Sequence, residues 1–288
     1  MSHSDAILSS LLLAATTPTT GATVTVEGTD NSSYPLPGIG NGVYDSPIDS
    51  VNWIRKDDGV HIYASTHDPS GSSQYYRYAY EETWQFESPF FAVLQFLNDS
   101  IQNYSPNTIH TCWHYDASTT ILLATSSQLT KSIIYEAPLV DIPLNSQQIS
   151  IEYSILATQY ALTKDAYARW TIMQNNTENI GSIFGVQPTP DQGNIHSLTD
   201  SGQQVIGYVS AGTVRSQRIF ITEDQVFPWD YQSGCMLDSV PTDQFAQYYG
   251  AGLLPVNYHY STTSINAAWK TCVDCTLTGT NVKPPFWP

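Results

Sequence analysis

Residues 76–86 (YRYAYEETWQF) decide the fold, because aromatic side chains occupy alternate positions along this stretch. Side chains two residues apart on a β-strand project from the same face. The aromatic members of that face are Tyr76, Tyr78, Tyr80, Trp84 and Phe86. Glu82 interrupts the face, so we predict a packed sheet face whose single acid is hydrogen-bonded or lies at an edge. The alternative is an aromatic platform for a sugar or peptide, with Tyr78, Tyr80, Trp84 and Phe86 as contacts.

The same alternation recurs in short runs between turn signals, which is typical of strands. The runs are 23–27 (TVTVE), 60–64, 149–156, 205–210 and 218–221. Residues 121–124 (ILLA) are apolar throughout and predict a strand buried on both faces. The breakers between the runs include 68–71 (DPSG) and 187–193 (QPTPDQG). The sequence therefore predicts a mainly β, sandwich-like protein.

One amphipathic helix is predicted near residues 164–177. Thr163 can cap its first turn, and Asp165 there favours the helix dipole. Ala166, Tyr167 and Trp170 follow at helical spacing.

The composition supports the same class of fold and excludes one class of partner. Charged residues are 12% of the 288, while 31 serines, 30 threonines and 19 tyrosines favour strands and turns. A net charge of −16 repels phosphate backbones, so nucleic acid is excluded as a partner. Neutral glycans, peptides, cations and proteins remain open.

No apolar run reaches the ~18 residues that a membrane-spanning helix needs. Residues 7–15 (ILSSLLLAA) have the length of a signal-peptide core, but Asp5 and no basic residue precede them. We interpret them as a first strand, or as the start of a chain whose export signal has been removed.

The four cysteines, Cys112, Cys235, Cys272 and Cys275, are an even number and predict two disulfides. Cys235 is expected to pair with Cys272 or Cys275, while Cys112 reaches across the fold. A zinc site is the less favoured alternative, because the chain has a single Cys-x-x-Cys pair.

On a strand, His110, Cys112, His114 and Asp116 share one face, so His110, His114 and Asp116 are candidate metal ligands. Strand ligands two residues apart are ~7 Å from one another along the axis, which makes a shared ion difficult. The row is equally typical of a half-exposed strand. No cofactor is predicted.

Catalytic signatures are absent from the sequence. The pairs Asp57-Asp58 and Glu81-Glu82 are adjacent and diverge on a strand, and no nucleophile elbow, zinc-protease or phosphate-loop motif occurs. We therefore predict a protein that is not an enzyme.

Several blocks, in order along the chain, resemble the DUF4249 family of Bacteroidota, a domain of unknown function. They are 75–86 (YYRYAYEETWQF), 160–170 (YALTKDAYARW), 176–184 (NTENIGSIF), 207–221 (GYVSAGTVRSQRIFI) and 272–275 (CVDC). The resemblance implies an exported lipoprotein at the outer-membrane surface or outside the cell, often encoded beside a TonB-dependent transporter. It also implies an immunoglobulin-like β domain at the N-terminus. Residues 21–44 resemble only the middle of that domain, and the lipid-bearing cysteine of the family is missing.

These observations predict two parts: residues 1–46, a partial immunoglobulin-like β segment, and residues 47–288, a β-rich main domain. The favoured function is a non-enzymatic surface accessory that binds a glycan, peptide or protein and works with a TonB-dependent transporter. The alternatives are a secreted hydrolase or metal-dependent enzyme, and a structural adhesin or surface filament component.

Overall fold

A computed structural model describes residues 12–15, 25–27, 33–35, 46–178, 208, 210–259 and 261–288. Strands dominate this part of the chain. The strands are β1 (Leu12–Ala15), β2 (Thr25–Glu27), β3 (Ser33–Pro35), β4 (Ile48–Lys56), β5 (Gly59–His67), β6 (Tyr75–Glu87), β7 (Leu94–Leu97), β8 (Ser100–Asn103), β9 (Thr111–Ala117), β10 (Leu122–Thr125), β11 (Ile133–Pro143), β12 (Glu152–Leu162), β13 (Ser210–Thr222), β14 (Asp238–Pro241), β15 (Leu253–His259) and β16 (Ser261–Trp269). The helices are α1 (Lys164–Glu178) and α2 (Phe245–Ala251), with single 3-10 turns between elements. The expected mainly β fold is confirmed.

Two sheets form a sandwich. The larger has the order β1-β13-β12-β6-β10, with β9 also paired to β6, and the smaller has the order β11-β5-β4. All pairings are antiparallel except the parallel pair β1–β13. Alternate residues of both sheets point into one shared core, as the period of a strand requires. Its members include Val60, Ile62, Ala64, Tyr76, Tyr78, Trp84, Phe86, Leu139, Ile142, Tyr153, Ile155 and Ile221.

The strand predictions are confirmed for β5, β6 and β13, and corrected in two places. Residues 121–124 were expected to be buried on both faces, but β10 is an edge strand of the larger sheet with half-buried side chains. The run 149–156 is divided, because Ile149 closes a 3-10 turn and β12 begins at Glu152. The prediction for 205–210 falls largely outside the described residues.

The predicted helix is present as α1, and Thr163 caps it by accepting a hydrogen bond from the Ala166 amide at 3.2 Å. Ala166 is its fully buried side chain. The helix packs on the outer face of the larger sheet, where the Arg77 guanidinium lies 4.1 Å from the Tyr160 ring and 4.5 Å from the Trp170 ring.

Beside the sandwich lies a smaller unit that we call the small lobe: the β7–β8 hairpin, helix α2 and the sheet β14-β16-β15. It has its own core, which includes Leu94, Phe245 and Ile265. Helix α2 was not predicted. Gly252 ends it in a left-handed conformation with φ 104°, and its amide caps the last turn.

Within residues 1–46 the structure describes only the backbone of β1, β2 and β3, and Ser46. β1 pairs with β13, and β2 pairs with β3. The predicted immunoglobulin-like remnant lies largely outside the described residues.

Candidate binding site

The aromatic face of β6 is part of the sandwich core. Tyr78 is 1% exposed, Phe86 3% and Trp84 9%, and only Tyr80 is half-buried. Burial raises the pKa of Tyr80 to about 12, with nearby Glu82 adding to the shift. The aromatic stretch is thus a packed sheet face, and these side chains do not form an open platform.

Glu82 is buried in this face and hydrogen-bonded. Its Oε1 accepts a bond from the Tyr153 hydroxyl at 2.7 Å and one from the Gln148 amide at 3.3 Å. Burial raises the pKa of Glu82, against the opposing effect of the Tyr153 hydrogen bond. Burial beside this carboxyl also raises the pKa of Tyr153 well above its usual value. The Glu82 carboxyl is thus a buried, hydrogen-bonded acid within the sheet, as expected for a packed sheet face.

The candidate metal ligands His110, His114 and Asp116, in and just before β9, do not converge on one point. The His114 ring stacks on Trp84 with centroids 4.3 Å apart, and its Nδ1 contacts the Thr278 carbonyl. Asp116 accepts a hydrogen bond from the Ala117 amide, and Cys112 is in a disulfide. Among the side chains that the structure describes, no group of three or more His, Cys, Asp or Glu is arranged to hold a metal ion.

His110 instead joins two neighbours that the sequence did not single out. Its Nδ1 lies 2.9 Å from the Ser88 hydroxyl, and its Nε2 lies 3.2 Å from the Glu87 carboxylate. The Ser88 hydroxyl also lies 3.1 Å from the Phe90 carbonyl, to which it can donate. These contacts tie the turn after β6 to the segment before β9.

Both predicted disulfides are present. Cys112 pairs with Cys275 across 163 residues, and Cys235 pairs with Cys272 across 37. The first links β9 of the sandwich to the C-terminal segment, and the second links the segment before β14 to the end of the small lobe. Two disulfides are typical of an oxidising, exported environment.

The C-terminal segment is bound along β9 and the outer face of the larger sheet. Thr280 exchanges two backbone hydrogen bonds with Trp113, at 2.8 and 2.9 Å. The Phe286 ring lies 3.7 Å from the guanidinium of Arg218, and Trp287 is buried against Phe220. These contacts hold the chain that follows the two C-terminal cysteines.

A second polar cluster lies on the outer face of the smaller sheet. The His61 imidazole contacts Asp141 through Nδ1 at 2.6 Å and Asp58 through Nε2 at 2.8 Å. The hydrogen bond with Asp58, helped by Asp141, raises the pKa of His61. A neutral imidazole has only one N–H, so two carboxylate contacts require the protonated ring. The cluster ties the turn between β4 and β5 to β11.

The best candidate for a binding site is a pocket of about 220 Å³ in the small lobe. We call it the aromatic pocket. Its lining comes from the hairpin, α2, β15 and three connecting segments, and comprises Ala92, Leu94, Gln95, Phe96, Tyr104, Ile109, Tyr249, Leu254, Pro255, Val273 and Asp274. Aromatic and aliphatic walls with a few polar groups are typical of small-molecule sites.

The aromatic rings of the pocket support one another. Phe96 lies 4.8 Å from Tyr249 and 5.3 Å from Phe245, between ring centroids. Tyr249 is 43% exposed, so part of this lining residue is open to solvent. Asp274 is the one charged residue among the described residues of the lining, and its Oδ1 accepts hydrogen bonds from the amide and the hydroxyl of Thr276.

Sequence reasoning missed the aromatic pocket, because its walls come from stretches that are far apart along the chain. The available signals were Phe96, the pair Tyr248-Tyr249 and the terminator Gly252, none of which is periodic over more than one turn. Cys272 and Cys275, which flank Asp274, were identified only as disulfide partners.

In the described part of the chain, no helix has both the length and the apolar character needed to cross a membrane. The model of a family described as a domain of unknown function, DUF4249, matches residues 42–218. No curated protein and no solved structure matches the chain. The match covers strands β4 to β12, which include the β7–β8 hairpin of the small lobe, together with helix α1 and part of β13.

Proposed function

Since the chain belongs to the DUF4249 family, we propose that it is an exported, non-enzymatic binding protein of the bacterial cell envelope. In this proposal it takes up a ligand in the aromatic pocket and works beside a TonB-dependent transporter at the outer-membrane surface. The transporter partnership rests on what the family resemblance implies.

One observation carries the binding role: the aromatic pocket combines rings, aliphatic walls and a few polar groups in a concave site. The rings that the sequence offered as a platform are core residues, whereas Phe96 and Tyr249 line an accessible cavity. Two disulfides support export to an oxidising compartment.

Titration with a neutral, environment-sensitive dye, N-phenyl-1-naphthylamine, tests whether the pocket takes up a small molecule. A neutral dye avoids repulsion from the net charge of −16. We expect saturable fluorescence enhancement for the wild type and at least a fivefold weaker apparent affinity for Tyr249→Ala.

Tyr258→Ala is the matched control, because Tyr258 is 44% exposed in the same lobe and does not line the pocket. It should bind the dye as the wild type does. Equal loss in both variants, or no saturable binding by the wild type, would refute the proposed site.

A further inference from the structure

We infer that the aromatic pocket binds the ring of a neutral sugar, at the end of or within a glycan. This inference rests on the proposed function, which requires only that the pocket bind a ligand. It adds the chemical class of that ligand.

The negative charge of the pocket and of the protein disfavours anionic ligands. Among the residues that the structure describes, Asp274 supplies the one carboxylate of the lining, and no lysine, arginine or histidine contributes to it. The protein as a whole carries −16, so an acidic sugar or a phosphorylated ligand would be repelled without a compensating cation. The ligand is therefore neutral or cationic.

The polar atoms of the pocket suit hydroxyl groups. Asp274 Oδ2 accepts no hydrogen bond from any described residue, because both bonds of this carboxylate fall on Oδ1. Gln95 donates through Nε2 to the Asn103 carbonyl, which leaves its Oε1 as an acceptor. Each of these two oxygen atoms can accept a hydrogen bond from a sugar hydroxyl.

The aromatic rings of the pocket suit the apolar face of a sugar. A pyranose presents a face of C–H groups, and the negative face of an aromatic ring attracts such weakly positive hydrogens. Tyr249 is partly exposed, and the Phe96 ring lies 4.8 Å from its ring between centroids. A ligand with an apolar face and a hydroxylated rim matches this division better than a purely apolar one.

Backbone pairing argues against a peptide. A bound peptide commonly extends a sheet through a free strand edge. Beside the pocket, the Val93 amide donates to the Val256 carbonyl at 2.8 Å, and the Tyr104 amide donates to the Val93 carbonyl at 2.8 Å. The first bond joins the segment before the hairpin to β15, and the second closes the base of the hairpin, so these backbone groups beside the pocket already have partners.

The experiment is isothermal titration of the full chain with a panel of probes. The neutral probes are cellotriose, mannotriose and xylotriose, the acidic probe is digalacturonate, and the peptide probe is trialanine. We expect at least one neutral trisaccharide to bind with millimolar or tighter affinity, and digalacturonate and trialanine not to bind.

Single substitutions test whether the sugar binds in the aromatic pocket. Asp274→Asn retains an oxygen acceptor for Thr276 but replaces the free acceptor by a donor, so we expect about tenfold weaker sugar binding. Tyr249→Ala should weaken binding by a similar factor, and Tyr258→Ala should leave it unchanged. Far-UV circular dichroism of each variant shows that the fold is retained.

The outcomes separate the two proposals. Binding of the neutral dye without binding of any neutral sugar overturns the sugar inference and leaves the proposed function intact. Preferential binding of trialanine or digalacturonate also overturns the sugar inference. If the protein binds neither the dye nor a sugar, the proposed function and the sugar inference are both overturned. If Asp274→Asn and Tyr249→Ala do not weaken sugar binding, the sugar binds elsewhere and the sugar inference is overturned.

Discussion

The two disulfides should contribute unequally to stability, because they close loops of different length. Cys112–Cys275 spans 163 residues and Cys235–Cys272 spans 37. Loop-closure entropy in the unfolded chain gives about 5 kcal/mol for the longer loop and about 4 kcal/mol for the shorter one. The double variants Cys112→Ala/Cys275→Ala and Cys235→Ala/Cys272→Ala test this difference.

Side-chain packing increases the expected difference in stability between the two double variants. Cys112 is 0% exposed and Cys275 2%, whereas Cys235 is only partly buried. Removing a fully buried sulfur leaves a cavity, which costs about 1 kcal/mol at each site. We therefore expect the Cys112/Cys275 variant to lose about 2–3 kcal/mol more than the Cys235/Cys272 variant.

Equilibrium unfolding in urea, followed by tryptophan fluorescence and far-UV circular dichroism, measures both losses. The two probes must give coincident transitions for a single free energy to apply. The reasoning is refuted if the Cys235/Cys272 variant loses as much stability as the Cys112/Cys275 variant, or more.

Three further changes test the core, the surface cluster and the C-terminal segment by urea unfolding. Burial raises the pKa of Glu82, so the contribution of Glu82 to stability falls as pH rises from about 4 through its folded pKa. Glu82→Gln keeps an oxygen acceptor and should gain stability relative to the wild type over that range; a pH-independent difference would contradict this. The hydrogen bond with Asp58 raises the pKa of His61, so its stabilisation is complete below about pH 6.5 and is lost as pH rises through the folded pKa. The advantage of the wild type over His61→Gln should therefore shrink as pH rises above about 6.5, and a constant advantage would count against the charged cluster. A Cβ on Gly279 would lie 2.7 Å from a backbone carbonyl and 2.8 Å from a phenyl ring, so Gly279→Ala should cost about 1–3 kcal/mol. Gly250→Ala, in open space within α2, should instead stabilise by up to about 1 kcal/mol, and equal effects of the two would argue against the close contact.

The sandwich could be predicted because its signal is local. Alternation along 76–86 fixes which side chains of β6 share a face, and the structure buries that face. The cap at Thr163 predicted α1 for a similar reason, since capping depends on residues within one turn. Burial on both faces was wrongly predicted for 121–124, because composition alone does not show whether a strand lies at the edge of a sheet.

The aromatic pocket could not be predicted, because it depends on long-range packing. Phe96 on the hairpin meets Tyr249 on α2, about 150 residues later in the chain, and Asp274 comes from a third segment. Each segment is short and lacks sustained periodicity, so no window of sequence reports the cavity. The His110–Ser88 contact was missed for the same reason, since 22 residues and a chain reversal separate its members.

The disulfides and the aromatic pocket are structurally connected, and this connection can be tested. Asp274 lies between Cys272 and Cys275, each of which belongs to a different disulfide, so both bridges fix the segment that supplies the charged group of the pocket. A freed segment would have to be ordered again on binding, at about 1–2 kcal/mol for each residue fixed. Dye affinity should therefore fall in both double-alanine variants at a temperature where circular dichroism shows each to be folded. Because Cys275 is the buried anchor next to Asp274, the larger fall is expected for Cys112→Ala/Cys275→Ala. Unchanged dye affinity in both folded variants would mean that packing alone positions Asp274, and that the bridges stabilise the fold without shaping the pocket.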